Sequence, residues 1–529
     1  MPPSKETPMT TAPTDAAISR GAVLDVAACL PQWLETARHL RQQSGMQAAI
    51  WHDGELVAEV AVGEADLGAG IALRPTHRLR IASHSKMATA MTIMRLRELG
   101  HLRLDDALGD HVGELVGSSV ADRTLRDLLS HAAGLTRDSD DARWWRLGTR
   151  FPDRAQLLEI ARTSAVKAEA GAHLQYSNIG YGLLGLVIEA ITGSSFAEAV
   201  DELVLAPVGV EGIGPDLPVD AAGPEAADGF AAGHTSLLHG PRRPVDQVPT
   251  RALAAATGFW ANAGAIATFA GRTLAGGDLL SSTSVREMRR RVWTLQDGRH
   301  YGLGLQEGRL HGFTVVGHSG GFPTGLSRTW VAPAERLVVS VIGTAVDAPS
   351  SELAVGILGL LALSAGRPAP QAETWEQPGA QGGGSDGRPR PAPLSRQPSV
   401  EVSGVASALT AAEVAGIVAG TYDSLWGRTR LAVLGGRLYA LDDAAADPAS
   451  SALELTVGRV RADPIVPGAE AVELATWGDP GYDSWAEPVL ARLAAPDEGG
   501  TPRCTALVRT GQVQTPSADF AMPQRVTAP

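Results

Sequence analysis

Two residues at a spacing of three, Ser83 and Lys86, could form a nucleophile and its base. An apolar stretch precedes Ser83 and good helix formers follow Lys86, so the pattern predicts a helix that begins at about Ser83. Residues at this spacing lie on the same face of a helix. Free N–H groups at the helix start stabilise negative charge, and burial lowers the pKa of a lysine amine so that it can accept the serine proton.

Lysine is rare in this chain, which strengthens the interpretation of Lys86. Only three of the 45 basic residues are lysines, and the rest are arginines, which keep their proton in proteins. A lysine at this position therefore indicates a need for a titratable amine. The same spacing recurs at Ser164 and Lys167, but that pair lies directly before the next motif. An ordinary surface lysine is the alternative for either pair.

The second motif is Tyr176-Ser177-Asn178. In an extended segment alternate side chains point the same way, so the phenol of Tyr176 and the amide of Asn178 could enter one pocket. A phenol beside a lysine amine ionises more easily and can shuttle protons. A tyrosine packed in the core is the alternative.

The third motif contains His318, Ser319 and Gly320 at the end of an apolar strand. Glycines on both sides of it allow backbone N–H groups to approach a substrate carbonyl. A structural histidine is the ordinary alternative for His318. Each motif is weak alone, but the order and separation of all three are hard to assign to chance.

The three motifs resemble those of the serine β-lactamase and penicillin-binding-protein superfamily, in the branch with S-x-x-K, Y-x-N and H-x-G. That branch includes class C β-lactamases, D,D-carboxypeptidases, D-aminopeptidases, esterases and the thioesterases that cyclise nonribosomal peptides. The resemblance extends over residues 22–365. The matching pairs are Ser83 and Lys86, Tyr176 and Asn178, and His318 and Gly320.

The resemblance implies an α/β (α+β) catalytic domain, an antiparallel sheet flanked by helices, that uses no metal or cofactor. Ser83 would form an acyl-enzyme, with Lys86 and Tyr176 as the proton relay. Asn178 would position the substrate amide. The oxyanion hole would consist of backbone N–H groups of Ser83 and of the strand His318-Ser319-Gly320. None of the 13 histidines forms H-x-H or H-E-x-x-H, so no metal site is expected.

The sequence allows three competing interpretations. Residues 317–321 fit the G-x-S-x-G elbow of α/β-hydrolases, but no histidine follows Ser319, so that triad order is excluded. A second alternative is a relative that only binds peptides, against which the intact motifs argue. A third is that residues 404–529 act as a lipocalin-like carrier.

The predicted elements form a catalytic domain at residues 22–366, after a disordered N-terminus at 1–21. Helices are predicted at 26–40, from Ser83 to Gly100, at 181–192, 265–274 and 352–365, and strands at 46–51, 55–62, 313–316 and 328–343. Residues 205–250 are loop-rich. A Pro/Gly-rich linker at 367–403 leads to residues 404–529, where short strands between turns predict a small all-β barrel. This barrel resembles the lipocalin-like domains appended to several members of the superfamily.

The composition of the chain argues against some classes of binding partner. The net charge of −13 and the lack of basic runs argue against nucleic acid and anionic membranes. Cys29 and Cys504 have no metal or redox spacing, and no export signal is visible, so a cytoplasmic location is expected.

The expected substrate is a small molecule or peptide, either free or activated on a carrier as a thioester. His318 replaces the lysine of many β-lactamases, which makes a fixed charge for a substrate carboxylate there doubtful. A D-stereospecific peptidase, amidase or esterase is therefore favoured. A peptide cyclase that resolves the acyl-enzyme with an amine is the alternative, and a β-lactamase is less favoured. The oligomeric state stays open.

Overall fold

The computed structural model describes residues 18–218, 220–295, 298–367, 399–402, 408–442, 448–475, 487–494 and 502–527, and the single residues 394, 397 and 445. The predicted disordered segment 1–21 and linker 367–403 lie largely outside the described residues, although the first helix, Arg20–Leu40, begins within the former. The predicted domain boundaries therefore stay predictions.

The catalytic region, residues 22–366, is built on a nine-stranded antiparallel sheet. The first strand, Gly45–His52, pairs with the last, Leu337–Gly343, with Met46 opposite Gly343. The sheet thus joins the two ends of the region, as the sequence predicted. In chain order its strands are Gly45–His52, Glu55–Asp66, Ile71–Ala72, Trp293–Thr294, His300–Tyr301, Gln306–Leu310, Phe313–Phe322, Gly325–Ala332 and Leu337–Gly343.

Helices cover both faces of this sheet, because successive residues of its central strands are apolar and point to opposite faces. Ala48 and Ile50 pack with the helices Arg20–Leu40 and Ser350–Ser364, while Ala49 and Trp51 belong to the larger core on the other face. The helices on that second side include Ser85–Glu98, Leu125–Leu129, Arg154–Thr163, Asn178–Thr192, Phe196–Val200, Ala263–Ala270 and Ser282–Met288. The predicted mixture of helices and antiparallel sheet is confirmed.

Two helices carry the first two motifs into the core. Ser85–Glu98, the serine helix, is buried on almost every side, and its methionines at 87, 91 and 94 are core residues. Asn178–Thr192 packs against it. Among the described residues no single helix is long and apolar enough to cross a membrane. Two consecutive helical segments, Asn178–Thr192 and Phe196–Val208, are long and apolar enough only when taken together, and the chain bends by 80° between them.

The C-terminal part forms a closed barrel of eight antiparallel strands that follow one another in chain order. It confirms the predicted all-β barrel, while the likeness to lipocalins stays a prediction. A capping box between Thr410 and Glu413 starts the short helix Ala411–Val418. The strands are Gly420–Ser424, Gly427–Leu434, Arg437–Leu441, Leu453–Ala462, Glu470–Ala475, Val489–Ala494, Arg503–Arg509 and Gln512–Pro516.

The barrel shares apolar core with the catalytic region. Leu425 is buried in the larger cluster of that region, and so is Val526, which follows the last barrel strand. The backbone N–H of Val526 donates to the carbonyl of Pro244 at 2.9 Å, and the N–H of Asp246 donates back to Val526 at 2.9 Å. The chain therefore returns to the catalytic region after it has closed the barrel.

Candidate active site

Ser83 lies in the turn between the strand Leu79–Ala82 and the serine helix, which begins at Ser85 rather than at Ser83. Ala82 has φ of 46°, a left-handed conformation that residues with a Cβ rarely adopt. This turn directs the chain from strand into helix beside the third motif. A Cβ on Gly320 would lie 2.0 Å from the carbonyl oxygen of Ile81, so only glycine permits this approach.

The amine of Lys86 contacts the hydroxyl of Ser83. Its Nζ lies 3.2 Å from Ser83 Oγ, 2.8 Å from Asn178 Oδ1 and 2.8 Å from the carbonyl oxygen of Ala256. The side chain is fully buried, and this desolvation holds the pKa of Lys86 well below its usual value, although the Asp138 carboxylate partly offsets the shift. A neutral amine at hydrogen-bond distance is a competent base for the serine.

Asn178 links the lysine to a buried carboxylate. It is the first residue of its helix, which Ser177 caps by accepting the N–H of Gly180. Its Oδ1 accepts from Lys86, and its Nδ2 donates to Asp138 Oδ1 at 2.8 Å. The expected contact with a substrate amide therefore falls to the second proton of Nδ2, while the carbonyl end orients the lysine.

Tyr176 is buried beside the same amine. Lys86 Nζ lies 4.7 Å from the centre of the Tyr176 ring. The ring of His131 packs against the phenol at 4.2 Å between centroids. Tyr176 therefore lies between the lysine and a layer of aromatic side chains, and its role as a proton relay stays a prediction.

A directed chain of hydrogen bonds runs through that aromatic layer. The N–H of Ser177 donates to His131 Nδ1 at 3.1 Å, which leaves the proton of a neutral imidazole on Nε2, 3.2 Å from the hydroxyl of Tyr301. Tyr301 lies 3.2 Å from His318 Nε2, and His318 Nδ1 is 2.6 Å from the carbonyl of Ser319. Burial lowers the pKa of both histidines well below the usual value, so the neutral forms apply.

A cavity lies above Ser83, and the side chain of His318 lies behind its wall rather than lining it. The side chain is only 1% exposed, and its ring lies 6.5 Å from that of Tyr176. Of the third motif and its flanking glycines, Gly321 is the residue that lines the cavity. The His318 ring thus supports Tyr301, and the predicted contact of His318 with substrate stays a prediction.

The orientation of the strand Phe313–Phe322 explains the role of Gly321. Phe322 and Gly325 pair across a two-residue turn, so the backbone N–H of Phe322 points to the neighbouring strand Gly325–Ala332. Because successive N–H groups alternate, those of Ser319 and Gly321 point to the opposite edge, and Gly321 lines the same cavity as Ser83. Ser319 and Gly321 are therefore the candidate oxyanion donors of this strand, and the predicted donor segment 318–320 stays a prediction.

The cavity above Ser83 has a volume of about 540 Å³, and two parts of the chain line it. The catalytic region contributes Ser83, Arg137, Trp145, Arg146, Tyr176, Asn178 and Gly321. The barrel contributes Ser424, Trp426, Asp442, Arg509, Thr510, Gln512 and Gln514.

Specific contacts hold the barrel against the cavity. The carboxylate of Glu487 accepts from the Thr136 hydroxyl at 2.8 Å and from the Arg137 N–H at 3.0 Å. The carbonyl of Gly511 accepts from the N–H of Ala142 at 2.9 Å. These hydrogen bonds hold both barrel segments against the loop that contains Asp138. The same loop therefore contacts both the cavity wall and, through Asp138, the residues around Lys86.

The second serine–lysine pair does not form such a site. Lys167 pairs with Asp140 at 2.9 Å near the surface, and the hydroxyl of Ser164 lies 3.5 Å from the carbonyl of Ile160. Lys167 is therefore the ordinary surface lysine that the alternative interpretation describes.

Sequence reasoning missed His131, Tyr301, Asp138 and the barrel residues of the cavity wall. His131 has a left-handed φ of 60°, which is unusual for a residue other than glycine. Tyr301 and Asp138 stand in no local pattern, because only tertiary packing brings them to Tyr176 and Asn178.

The sequence profile of the β-lactamase family matches residues 32–363, more than half of the chain. The chain belongs to the β-lactamase family. Penicillin-binding protein 4 of Amycolatopsis lactamdurans is 29% identical to this β-lactamase-family protein over 189 residues, 34% of this chain and 47% of the relative. Esterase EstB of Burkholderia gladioli is 30% identical over 219 residues, 39% and 56% of the two chains. The match thus spans about half the length of these curated relatives.

Solved structures share the fold over most of this β-lactamase-family chain. SurE has a TM-score of 0.56 at 24% identity and covers 94% of this chain and 99% of its own. A penicillin-binding-protein homologue from Pyrococcus abyssi, described as octameric, has a TM-score of 0.57 at 20% identity, covering 90% and 97%. D-amino acid amidase from Ochrobactrum anthropi SV3, in complex with D-phenylalanine, has a TM-score of 0.55 at 20% identity, covering 64% and 98%.

Proposed function

We propose that this serine hydrolase of the β-lactamase family acts as an acyl hydrolase or acyltransferase through an ester of Ser83, on D-configured, peptide-like amides or esters. The contact of 3.2 Å between the buried amine of Lys86 and the Ser83 hydroxyl carries this proposal. It supplies a nucleophile and a base in a cavity large enough for a peptide segment.

Acylation follows from the geometry. Ser83 Oγ attacks the substrate carbonyl while its proton passes to neutral Lys86 Nζ. The N–H groups of Ser83 and Gly321 receive the developing oxyanion. When the carbon–nitrogen or carbon–oxygen bond breaks, the leaving group takes a proton from Lys86 through the Tyr176 hydroxyl.

Deacylation reverses these roles. Water or an amine attacks the carbonyl of the Ser83 ester and gives up a proton through the same two side chains. Ser83 Oγ regains its proton as the ester bond breaks. Hydrolysis and aminolysis therefore differ only in which acceptor occupies the cavity.

The preference for D-configured substrates rests on the related proteins. Solved structures of this fold include a D-stereospecific amidohydrolase from Streptomyces sp., the D-amino acid amidase and SurE with D-Leu. Esterase EstB, among the curated relatives, extends the proposed range to esters.

A second candidate, aminolysis that cyclises a peptide, is supported by a second cavity of about 520 Å³. It shares Trp426 and Asp442 with the cavity above Ser83. These two adjoining cavities would bind an acyl chain and an acceptor amine at the same time. Activation of the substrate on a carrier, like a cytoplasmic location, stays a prediction.

A labelling experiment tests the nucleophile. A fluorophosphonate should modify one serine, and peptide mass spectrometry should place the label on Ser83. The Ser83→Ala variant should take up no label and should be inactive. A label on Ser319 would support the nucleophile-elbow interpretation, and no label at all would support a protein that only binds peptides.

A substrate panel tests the specificity. It compares D- and L-aminoacyl amides, simple esters, peptidyl thioesters and a chromogenic β-lactam, and product analysis separates acids from cyclic or linear amides. Faster turnover of the L-series, or turnover of the β-lactam alone, contradicts the proposed substrate class. Cyclic products from peptidyl thioesters favour the second candidate.

A further inference from the structure

Arg146 lines the cavity above Ser83, and two nitrogen atoms of its guanidinium group have no acceptor among the described residues. Its Nε and Nη2 atoms are buried and find no hydrogen-bond partner in the described part of the chain. Burial lowers its pKa to about 10, with no carboxylate offsetting the shift, and the group still carries its charge at neutral pH. A buried, charged donor is costly unless an acceptor is supplied, so its place in the cavity wall points to a ligand.

Other arginines of this protein show what that edge of the group binds. Arg143 donates from Nε and Nη2 to the two oxygens of Asp141, at 2.9 and 2.8 Å. Arg428 binds Asp423 with the same two atoms, at 2.8 and 2.9 Å. The planar group matches the two oxygens of a carboxylate side by side. In Arg146 the same edge has no carboxylate.

The charge of the cavity wall favours an anion. Arg137 and Arg509 also line it, and among the described lining residues Asp442 is the one carboxylate. Arg137 is engaged, since its Nε lies 3.5 Å from Asp138. An arginine-lined cavity in a chain with a net charge of −13 is a local reversal of sign. It would attract an anionic group and repel a cationic one.

We infer that Arg146 binds a carboxylate of the compound that reacts at Ser83. This inference rests on the proposed function and adds a specificity residue to it. The carboxylate belongs either to the acyl donor, as in a peptide with a free C-terminus, or to an amino acid that serves as acyl acceptor. Because Nε and Nη2 are not exposed to solvent in this structure, the guanidinium must turn toward the cavity for either source to reach this edge.

Paired substrates test this inference. Each donor and each acceptor is offered with a free carboxylate and as the matching carboxamide. In Arg146→Gln, kcat/KM for the carboxylate member should fall roughly 10- to 100-fold, the worth of a charge-assisted hydrogen bond. The carboxamide member should change less than about twofold, within the spread of near-neutral substitutions. Arg146→Lys should retain part of the preference.

Arg143→Gln is the matched control, because Arg143 lies on the same short helix, Arg143–Arg146, outside the cavity. It should leave the ratio of carboxylate to carboxamide unchanged. A loss confined to carboxylate donors assigns the group to the acyl chain. A loss confined to carboxylate acceptors, seen as a shift from aminolysis to hydrolysis, assigns it to the amine.

Equal loss for both members of a pair, or no loss for either, overturns the inference. The wild-type protein gives a test that needs no variant, since equal rates for carboxylate and carboxamide pairs also overturn it. Failure of the proposed function looks different. In that case Ser83 takes no fluorophosphonate label and neither member of any pair is turned over.

Discussion

The indole nitrogen of Trp426, in the barrel, donates a hydrogen bond of 2.7 Å to the backbone carbonyl of Trp145, in the catalytic region. The two rings meet edge to face with centroids 6.3 Å apart, and both residues line the cavity. The barrel is thus part of the active-site wall. We therefore expect the selection of substrates to depend on both parts of the chain.

Replacement of Lys86 by arginine should slow acylation of Ser83. Arginine keeps a positive charge but cannot give up its proton, so the base is lost. The rate should fall roughly 10²- to 10⁴-fold, the usual worth of acid–base catalysis. Stopped-flow measurement of acyl-enzyme formation checks this, with melting temperature as a test of folding. Lys167→Arg, at the surface pair, is the control and should react at the wild-type rate.

Tyr176→Phe should also slow turnover, because it removes the hydroxyl that passes the proton to the leaving group. The ring and its packing against His131 remain, so the fold should be preserved. The effect should be larger on amides than on esters with acidic leaving groups, which depart without a proton. Steady-state kinetics on a matched amide and ester show the difference. Equal rates in wild type and variant would assign the relay to another group.

The pH profile of acylation should report the titration of Lys86. Burial lowers the pKa of this amine well below 10.5, and only the neutral form accepts the serine proton. The rate should therefore be highest at alkaline pH and should fall as the pH drops through the lowered pKa. Measurement of kcat/KM against pH with a neutral substrate locates this limb. A limb at the ordinary value near 10.5 would show that Lys86 is not desolvated.

Gly511→Ala should disturb the cavity wall. Gly511 has φ of +74°, and a Cβ there would lie 2.4 Å from both the nitrogen of Ala142 and the carbonyl oxygen of Ser139. The barrel turn must then move away from the catalytic region. The melting temperature and the activity on peptides should fall, while a small ester should be less affected.

Gly436→Ala is the control for this change. Gly436 lies in another barrel turn with φ of +71°, and a Cβ there meets nothing within 4 Å. Both alanines carry the conformational strain of the left-handed region, roughly 1–2 kcal/mol. An additional loss should therefore occur only in Gly511→Ala. Equal effects of the two substitutions would show that the contact at Ala142 does not hold the wall in place.

The chemistry of this protein could be predicted from its sequence because three short motifs carry it. Their residue types indicate a nucleophile, a titratable amine and a phenol. The residues that form the adjoining turns lie in the same short segments, so they can be recognised without the fold. The spacing of apolar residues and the composition likewise predicted the α/β catalytic region and the C-terminal barrel, because both can be read from the sequence alone. The motifs also led to the family that the profile match establishes.

The tertiary structure alone decided which of these residues meet, and in what surroundings. Burial of Lys86 between Asn178 and Ala256 lowers its pKa, and burial depends on packing between segments far apart in the chain. The same packing puts His318 behind the cavity. It also brings Trp426 and Arg146 to the cavity wall, where no local pattern marks them. Spacing along the chain sets the direction of a side chain, but only the packed fold sets its solvent exposure and its partners.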